Sequence, residues 1–416
     1  MRRVRAGRHA ALGSVRLAVP ESRRTLAIYI AAGATFAALS ARGLTVPLYA
    51  HGLGANRFEV GALFSVATVF AALLSMPSGL LIDRFGARTL LGVSIAIAAV
   101  SQLAIAATTS VAPLFLWQAV GGLGFGATQA AFFSAVTESV GKGRLGRAMG
   151  WLTFSMQAGF FIGPSIAGVA LQWIDIRTDI AVTTAMLVAA IPGVIAASRT
   201  QQSQGGFALM GPLRALVRQR PFVPITIGLL AATMAWGTVG AFLPIFGKEG
   251  LGLPSSQVGL LLALQAVANG LSRIPGGMLV DRARHRWPIV FVGVIGWSIA
   301  AVILGHLHGF LAPAILLVIA TPFMATVYIA VAVVFGDLSA SSTRGVTMGM
   351  YGTVLFLGLT LGPLLFGPLV QAYGYATGFT ACAAVAVTLV LVMVALQAEP
   401  LRRRSAVPMP PASPGT

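Results

Sequence analysis

The sequence predicts an all-α integral membrane protein, with twelve transmembrane helices in two pseudo-symmetric six-helix halves. Three observations predict it. Of 416 residues, 57% are hydrophobic and 9% are charged, against about 25% charged in a soluble domain. That excludes a soluble enzyme and any disordered or fibrous class. Long uncharged runs alternate with short basic clusters, the pattern of apolar spans above a positive cytoplasmic face. The second half of the chain also repeats landmarks of the first at a near-constant offset.

The spans follow in order, each needing about 20 apolar residues. Thr25–Ala41, running on towards Tyr49, is span 1, and Val60–Ile82 is span 2. Thr89–Thr137 has no charge over 49 residues and holds spans 3 and 4, broken at Thr108–Ser110 before Pro113. Ala148–Ile174 and Ile180–Ser198 are spans 5 and 6, and Pro221–Gly247 and Gly250–Ser272 are spans 7 and 8. Trp287–Gly336 holds spans 9 and 10, broken at His306–Gly309, and Gly345–Ala398 holds spans 11 and 12, broken at Tyr373–Tyr375. The chain then divides into a basic segment 1–25, a first half 26–198, a polar connection 199–220, a second half 221–398 and a tail 399–416. The tail, rich in Pro and Ser, reads as disordered.

With both termini in the cytoplasm, 23 of the 28 Lys and Arg residues fall in cytoplasmic segments. Arg57, Arg177 and Lys248 fall in outer loops, while Arg42 and Arg273 fall within spans. This asymmetry sets the orientation and places the chain in a bacterial inner (plasma) membrane as a multi-pass protein. It also explains the net charge of +18 without nucleic acid as a partner. Arg23 and Arg24 read as the flank of span 1 rather than as part of a cleaved signal.

The helices offer no metal site: Cys382 is the one cysteine, and no His, Asp, Glu or Cys cluster shares one depth. The same absence argues against a polytopic enzyme. A receptor or sensor would need a signalling domain, and the soluble segments are short. No Gly-x-x-x-x-Gly-Lys-Ser/Thr loop is present, so ATP is not the energy source within this chain. No cofactor is expected.

The repeat is explicit. Pro77-Ser-Gly-Leu-Leu-Ile-Asp-Arg84 recurs as Pro275-Gly-Gly-Met-Leu-Val-Asp-Arg282, 198 residues on. Gly159-x-x-x-Gly163-Pro164 recurs as Gly358-x-x-x-Gly362-Pro363, and Gly168, Glu138 and Met149 pair with Gly367, Asp337 and Met348, all 199 residues on. Two such halves place a substrate site between them near the midplane, reached from each side in turn.

These residues resemble the major facilitator superfamily over essentially the whole chain. Gly79-x-Leu81-x-Asp83-Arg84-x-Gly86-x-Arg88 is similar to its motif between helices 2 and 3. The second copy, Gly277-x-Leu279-x-Asp281-Arg282, has Arg284 where the glycine belongs. Gly159, Gly163, Pro164 and Gly168 on span 5 resemble the motif associated with the family's exporters, a drug or metabolite efflux subgroup. Their small side chains would also let helices approach closely. On span 4 the glycine-rich stretch Gly122-x-Gly124-x-Gly126 matches, but Gln118 stands where the family has an arginine implicated in proton coupling. That absence counts against proton antiport.

The resemblance implies the major facilitator fold, rocker-switch alternating access and a cytoplasmic gate. In that gate Asp83 faces the start of span 11 near Arg344, Arg84 and Arg88 pair with Glu138, and, by the repeat, Arg282 and Arg286 pair with Asp337, with Asp281 alongside. Such exposed pairs are worth about 0–1 kcal/mol each, weak enough to switch. Arg42 and Gln118 fall at similar depth on spans that line the family's cavity, and Arg42 is expected either to take over the lost cationic position or to snorkel to the outer interface. The other candidates for the cavity are Gln129, Gln157, Trp236, Gln265, Asn269 and Tyr328; Trp236 could stack on a flat substrate. Arg273 is expected to snorkel or to pair with carbonyls of a neighbouring helix. His51, near the outer mouth, reads as a solvated loop histidine. All ten carboxylates, Asp179 among them, fall in loops, tails or helix ends.

The expected function is therefore export of a small amphipathic organic compound, neutral or anionic, by a secondary active transporter. Protons are a candidate coupling ion, and the lipid bilayer and a small-molecule substrate are the expected partners of a monomer. The alternative is an uptake permease or facilitator of a neutral or anionic metabolite.

Overall fold

The structure, a computed structural model, describes residues 23–140, 145–197, 214, 216–338 and 344–405. The N-terminal segment to residue 22, nearly all of 198–215 and the tail from 406 lie outside the described residues.

Twelve helices among the described residues are long and apolar enough to cross a membrane. In chain order they are α1 (Arg23–Gly52), α2 (Arg57–Ser75), α3 (Ala87–Ala107), α4 (Ala112–Ser139), α5 (Leu145–Ala170) and α6 (Ile176–Ala196) in the first half. The second half holds α7 (Phe222–Glu249), α8 (Ser255–Arg282), α9 (Trp287–Leu304), α10 (Leu311–Asp337), α11 (Arg344–Tyr373) and α12 (Tyr375–Ser405). One end of the bundle, the terminal face, carries the ends of α2, α4, α8 and α10. The other, the far face, carries the ends of α1, α5, α7 and α11.

The two halves are built alike. Within the first, α1 packs on α5 and α6, and α4 on α2 and α3; within the second, α7 packs on α11 and α12, and α10 on α8 and α9. The two largest contacts between the halves are α2 with α11 and α5 with α8, and α7 also touches α1 and α2. The two largest are images of each other, because α8 is the repeat of α2 and α11 the repeat of α5.

The glycine motif on α5 explains this packing, and its copy on α11 does the same work. A Cβ at Gly159 would strike the Gly33 carbonyl of α1, and one at Gly163 the Ala37 carbonyl. At Gly168 a Cβ would lie 3.0 Å from Cα of Gly259 on α8, across the join between halves. The copies follow the same scheme: Gly358 and Gly362 abut Thr233 and Met234 of α7, and a Cβ at Gly367 would lie 3.1 Å from the Phe58 ring of α2. Lipid gives no hydrophobic drive between helices, so close backbone approach supplies the attraction.

Three local features differ from the sequence expectation or sharpen it. Span 2 is not one helix: α2 ends at Ser75, and a short helix Ser78–Phe85 follows. Pro77 lacks the N–H that would bond the Leu73 carbonyl and continue the ladder, and the Ser78 hydroxyl donates to the Ser75 carbonyl at 2.7 Å. At the repeated site α8 runs unbroken through Pro275, where Gly276 offers no hydroxyl. Span 6 starts four residues early, because Asp175 caps it by accepting from the N–H groups of Arg177 and Thr178. It then tightens to a 3-10 turn at Val188–Ala190 just before Pro192. Gly86 has φ +81°, a left-handed value that favours glycine. No described non-glycine residue has positive φ, so the loop at Arg284 takes another path.

Candidate functional site

Polar groups on apolar helices are the residues to explain, and they gather at three places. The first is a buried polar site in the far half of the first repeat. Arg42 is 8% exposed although it sits inside α1, so it does not reach the interface as a snorkelling side chain would. Its guanidinium donates to the Gln118 side-chain oxygen and, at 3.5 Å, to the Trp117 carbonyl on α4. Ser101 of α3 donates to that same carbonyl at 2.6 Å. Gly121 makes the room: a Cβ there would overlap Arg42. Gly122 and Gly126 let α4 settle on the Ala67 and Ala71 carbonyls of α2, which fixes the height of Gln118. Arg42 has no salt bridge among the described residues.

The second place is an aromatic group in the second repeat. The rings of Trp236 and Trp297 lie 4.7 Å apart, and Tyr328 meets Trp236 edge-on at 6.3 Å. Trp297, buried on α9, was not among the sequence candidates, and its indole N–H has no hydrogen-bond partner among the described residues. Nearby on α8, Arg273 donates to the Asn269 side-chain oxygen at 3.3 Å and lies within electrostatic reach of Tyr351 on α11. Arg273 therefore bonds within its own helix, one turn back, rather than to the carbonyls of a neighbour. Of the other candidates, Gln157 crosses between halves, donating to the Ala266 carbonyl of α8 at 2.8 Å. Gln265 is buried and Gln129 is exposed.

The third place was not expected from the sequence. At the far face Glu249, ending α7, accepts from Arg57 Nε at 2.7 Å and from the Tyr375 hydroxyl at 2.8 Å. His51 Nε2, ending α1, lies 3.2 Å from the same carboxylate. His51 is thus not simply solvated; it faces a carboxylate of the opposite half. The signal was present in the repeat. His51 stands in the last turn of α1 and Glu249 ends α7, the repeat of α1, so two helix ends that the repeat makes equivalent meet across the pseudo-two-fold axis. Arg57 also stacks over the Tyr375 ring at 4.8 Å, and its backbone N–H donates to Gln371 of α11.

At the terminal face Arg286 pairs with Asp337 at 2.6 Å, both partly exposed. Arg84 lies over the Phe85 ring, and Glu138 accepts from Ser134 at 2.8 Å. Asp281 and Arg282 are exposed, and Arg88 is half-exposed. The side chains of Asp83 and Arg344 lie outside the described residues.

Known proteins resemble the chain along most of its length. The mouse MFS-type transporter SLC18B1 is 24% identical over 353 residues, covering 79% of this chain and 76% of that protein. Multidrug resistance protein 1 of Bacillus subtilis is 20% identical over 347 residues, covering 80% and 87%. Among solved structures, the nucleoside transporter NupG aligns with TM-score 0.73 at 15% identity, over 90% of this chain and 99% of that one. A bacterial homologue of the lysosomal transporter Spinster, in an inward-facing unoccupied conformation, gives 0.73 at 15% over 94% and 98%. These structures share the fold. The family description Major Facilitator Superfamily matches twice, over residues 28–255 and 225–414. Matched across both of its halves, the chain belongs to the Major Facilitator Superfamily.

Proposed function

We propose that the chain exports a small, flat, amphipathic organic compound, neutral or anionic, by rocking its two halves about the α2–α11 and α5–α8 joins. Membership of the superfamily makes it a membrane transporter rather than an enzyme; direction, substrate and coupling are our reading. The observation that carries it is Arg42: a guanidinium buried in α1, held by an amide and a carbonyl, with no salt bridge among the described residues. A buried cation held only by neutral groups attracts an anion and repels a cation. The aromatic group around Trp236 supplies flat apolar surface in the other half. Similarity to a protein named for multidrug resistance supports export. The terminal face, where the basic clusters lie, is the cytoplasmic side of the inner membrane in this reading. The described far-face contacts belong to a conformation closed to the outside.

The test is thermal stability of the detergent-purified protein with matched organic anions, neutral compounds and lipophilic cations, for wild type and Arg42→Ala. A ligand that binds the folded state raises the melting temperature. Shifts by anions that disappear in Arg42→Ala are expected. Shifts confined to cations and unchanged in the variant would overturn the reading. Vesicles of both orientations, loaded with whichever anion binds, then separate export from uptake.

A further inference from the structure

Arg273 stands inside α8, and its neighbours round the helix show where it points. Gly270 and Gly276 stand three residues to either side. At about 100° per residue, each lies about 60° round from Arg273, in opposite directions. A Cβ at Gly270 would lie 2.7 Å from Gln157 of α5, and one at Gly276 2.9 Å from Thr326 of α10. Leu271 is 73% exposed and faces lipid; it is about 160° away. Arg273 therefore points between α5 of the first half and α10 of the second. Its exposure is to the gap between the halves.

The side chain also runs the wrong way for a snorkelling arginine. The nearer end of α8 is at the terminal face, nine residues on at Arg282. Arg273 Nε instead donates back to Asn269 at 3.3 Å, one turn deeper in the membrane. That bond uses one of five N–H donors. The two terminal nitrogens make no hydrogen bond or salt bridge among the described residues. Such a planar fork matches a carboxylate with two parallel bonds.

Aromatic side chains continue from it. Tyr351 of α11 lies within electrostatic reach of Arg273, and Tyr328 of α10 within reach of Tyr351. Neither tyrosine hydroxyl makes a hydrogen bond among the described residues. Tyr328 in turn meets Trp236 of α7 at 6.3 Å. The heights agree with one elongated site. Arg273 and Tyr328 are each nine residues from the terminal-face ends of their helices, and Tyr351 is seven, about 10–14 Å inside. Trp236 is fourteen residues in, about 21 Å. The charge lies towards the terminal face and the ring surface lies deeper.

We propose that Arg273 and Tyr351 form the acid-recognition end of a binding site for an aromatic carboxylate, whose ring lies against Trp236 and Tyr328. The terminal guanidinium nitrogens donate to the two carboxylate oxygens, and the Tyr351 hydroxyl donates a third bond. Arg42 lies towards the far face, ten residues from the end of α1, so an anion arriving from the terminal side meets Arg273 first. This deepens the export proposal and rests on its anionic class of substrate.

Melting temperatures of the full-length protein in detergent test it. 2-Naphthoate and the neutral 2-naphthamide are titrated against wild type, Arg273→Gln, Arg273→Lys, Tyr351→Phe and Arg42→Ala. 2-Naphthoate is expected to raise the melting temperature of wild type. Arg273→Gln should raise its half-saturating concentration by about tenfold or more and leave 2-naphthamide unaffected. Arg273→Lys keeps the charge without the fork and should recover only part of the loss. Tyr351→Phe should weaken 2-naphthoate by about threefold. Unliganded melting curves show that each variant is folded. No shift in wild type, full affinity in Arg273→Gln, or equal weakening of both compounds in that variant would each overturn the proposal. Loss in Arg273→Gln with none in Arg42→Ala keeps this site and removes Arg42 as a ligand contact. Loss in Arg42→Ala alone keeps the anion reading and removes this site.

Discussion

Neutralising Glu249 should unlatch the far face. Three groups converge on its carboxylate: Arg57 at 2.7 Å, the Tyr375 hydroxyl at 2.8 Å and His51 at 3.2 Å. Arg57 and His51 reach it from the opposite half, and the side chains of Arg57 and Glu249 are 35% and 22% exposed. Solvent at that exposure holds an ion pair to about 0–1 kcal/mol, and a hydrogen bond to a charged group contributes about 1.5 kcal/mol at the low end. Glu249→Gln keeps the shape and one acceptor, so about 2 kcal/mol of closed-state preference is lost. That moves the closed-to-open ratio by roughly 30-fold. The assay is a spin-label distance measurement between Gly52→Cys and Lys248→Cys in a Cys382→Ala background. Gly52 has open space for the new side chain and Lys248 is exposed. The expected result is a new population at longer distance in Glu249→Gln. In Arg57→Gln the further effect of Glu249→Gln should shrink, since the two residues share an interaction. An unchanged distance distribution, or two fully additive effects, would refute the latch.

Other substitutions probe the packing and the site. Gly163→Val and Gly362→Val should each destabilise by about 1–3 kcal/mol, because both side chains meet the backbone of the first helix of their half; thermal unfolding in detergent reads this, and a tolerated valine at either position would break the symmetry argument. Gly86→Ala should cost about 1–3 kcal/mol, because positive φ combined with extended ψ is open essentially to glycine alone, whereas Arg284→Gly should bring no gain, and the same melting curves compare the two. Trp236→Ala should abolish melting shifts caused by aromatic anions and keep those caused by aliphatic anions; equal loss of both would remove stacking as its role.

Much of the fold was legible in the residues, and the particular cases show why. The number of spans follows from uncharged runs, since a charge inside lipid is costly whatever the neighbours are. The repeat predicted that Gly163 and Gly362 do equivalent work, and each lies against the first helix of its own half. Breaks inside spans were less visible. Pro77 and Pro275 look alike in sequence, yet only the Ser78 hydroxyl beside Pro77 competes for a helix carbonyl. The candidate site was partly legible. Shared depth paired Arg42 with Gln118, and Trp236 and Tyr328 do meet. Trp297 was passed over because an indole in an apolar run carries no periodic signal.

The sequence by itself determined the solvent of each segment, the number of spans and the two-fold relation of the halves, because partition into lipid and internal duplication are properties of single residues and their order. Only the tertiary structure decided which polar groups find partners. His51 gained Glu249 from the other half, while Asp179 lost its access to water without gaining a partner. Both outcomes depend on which helices abut, and that is fixed by close backbone contact at glycines rather than by any property that either residue carries alone.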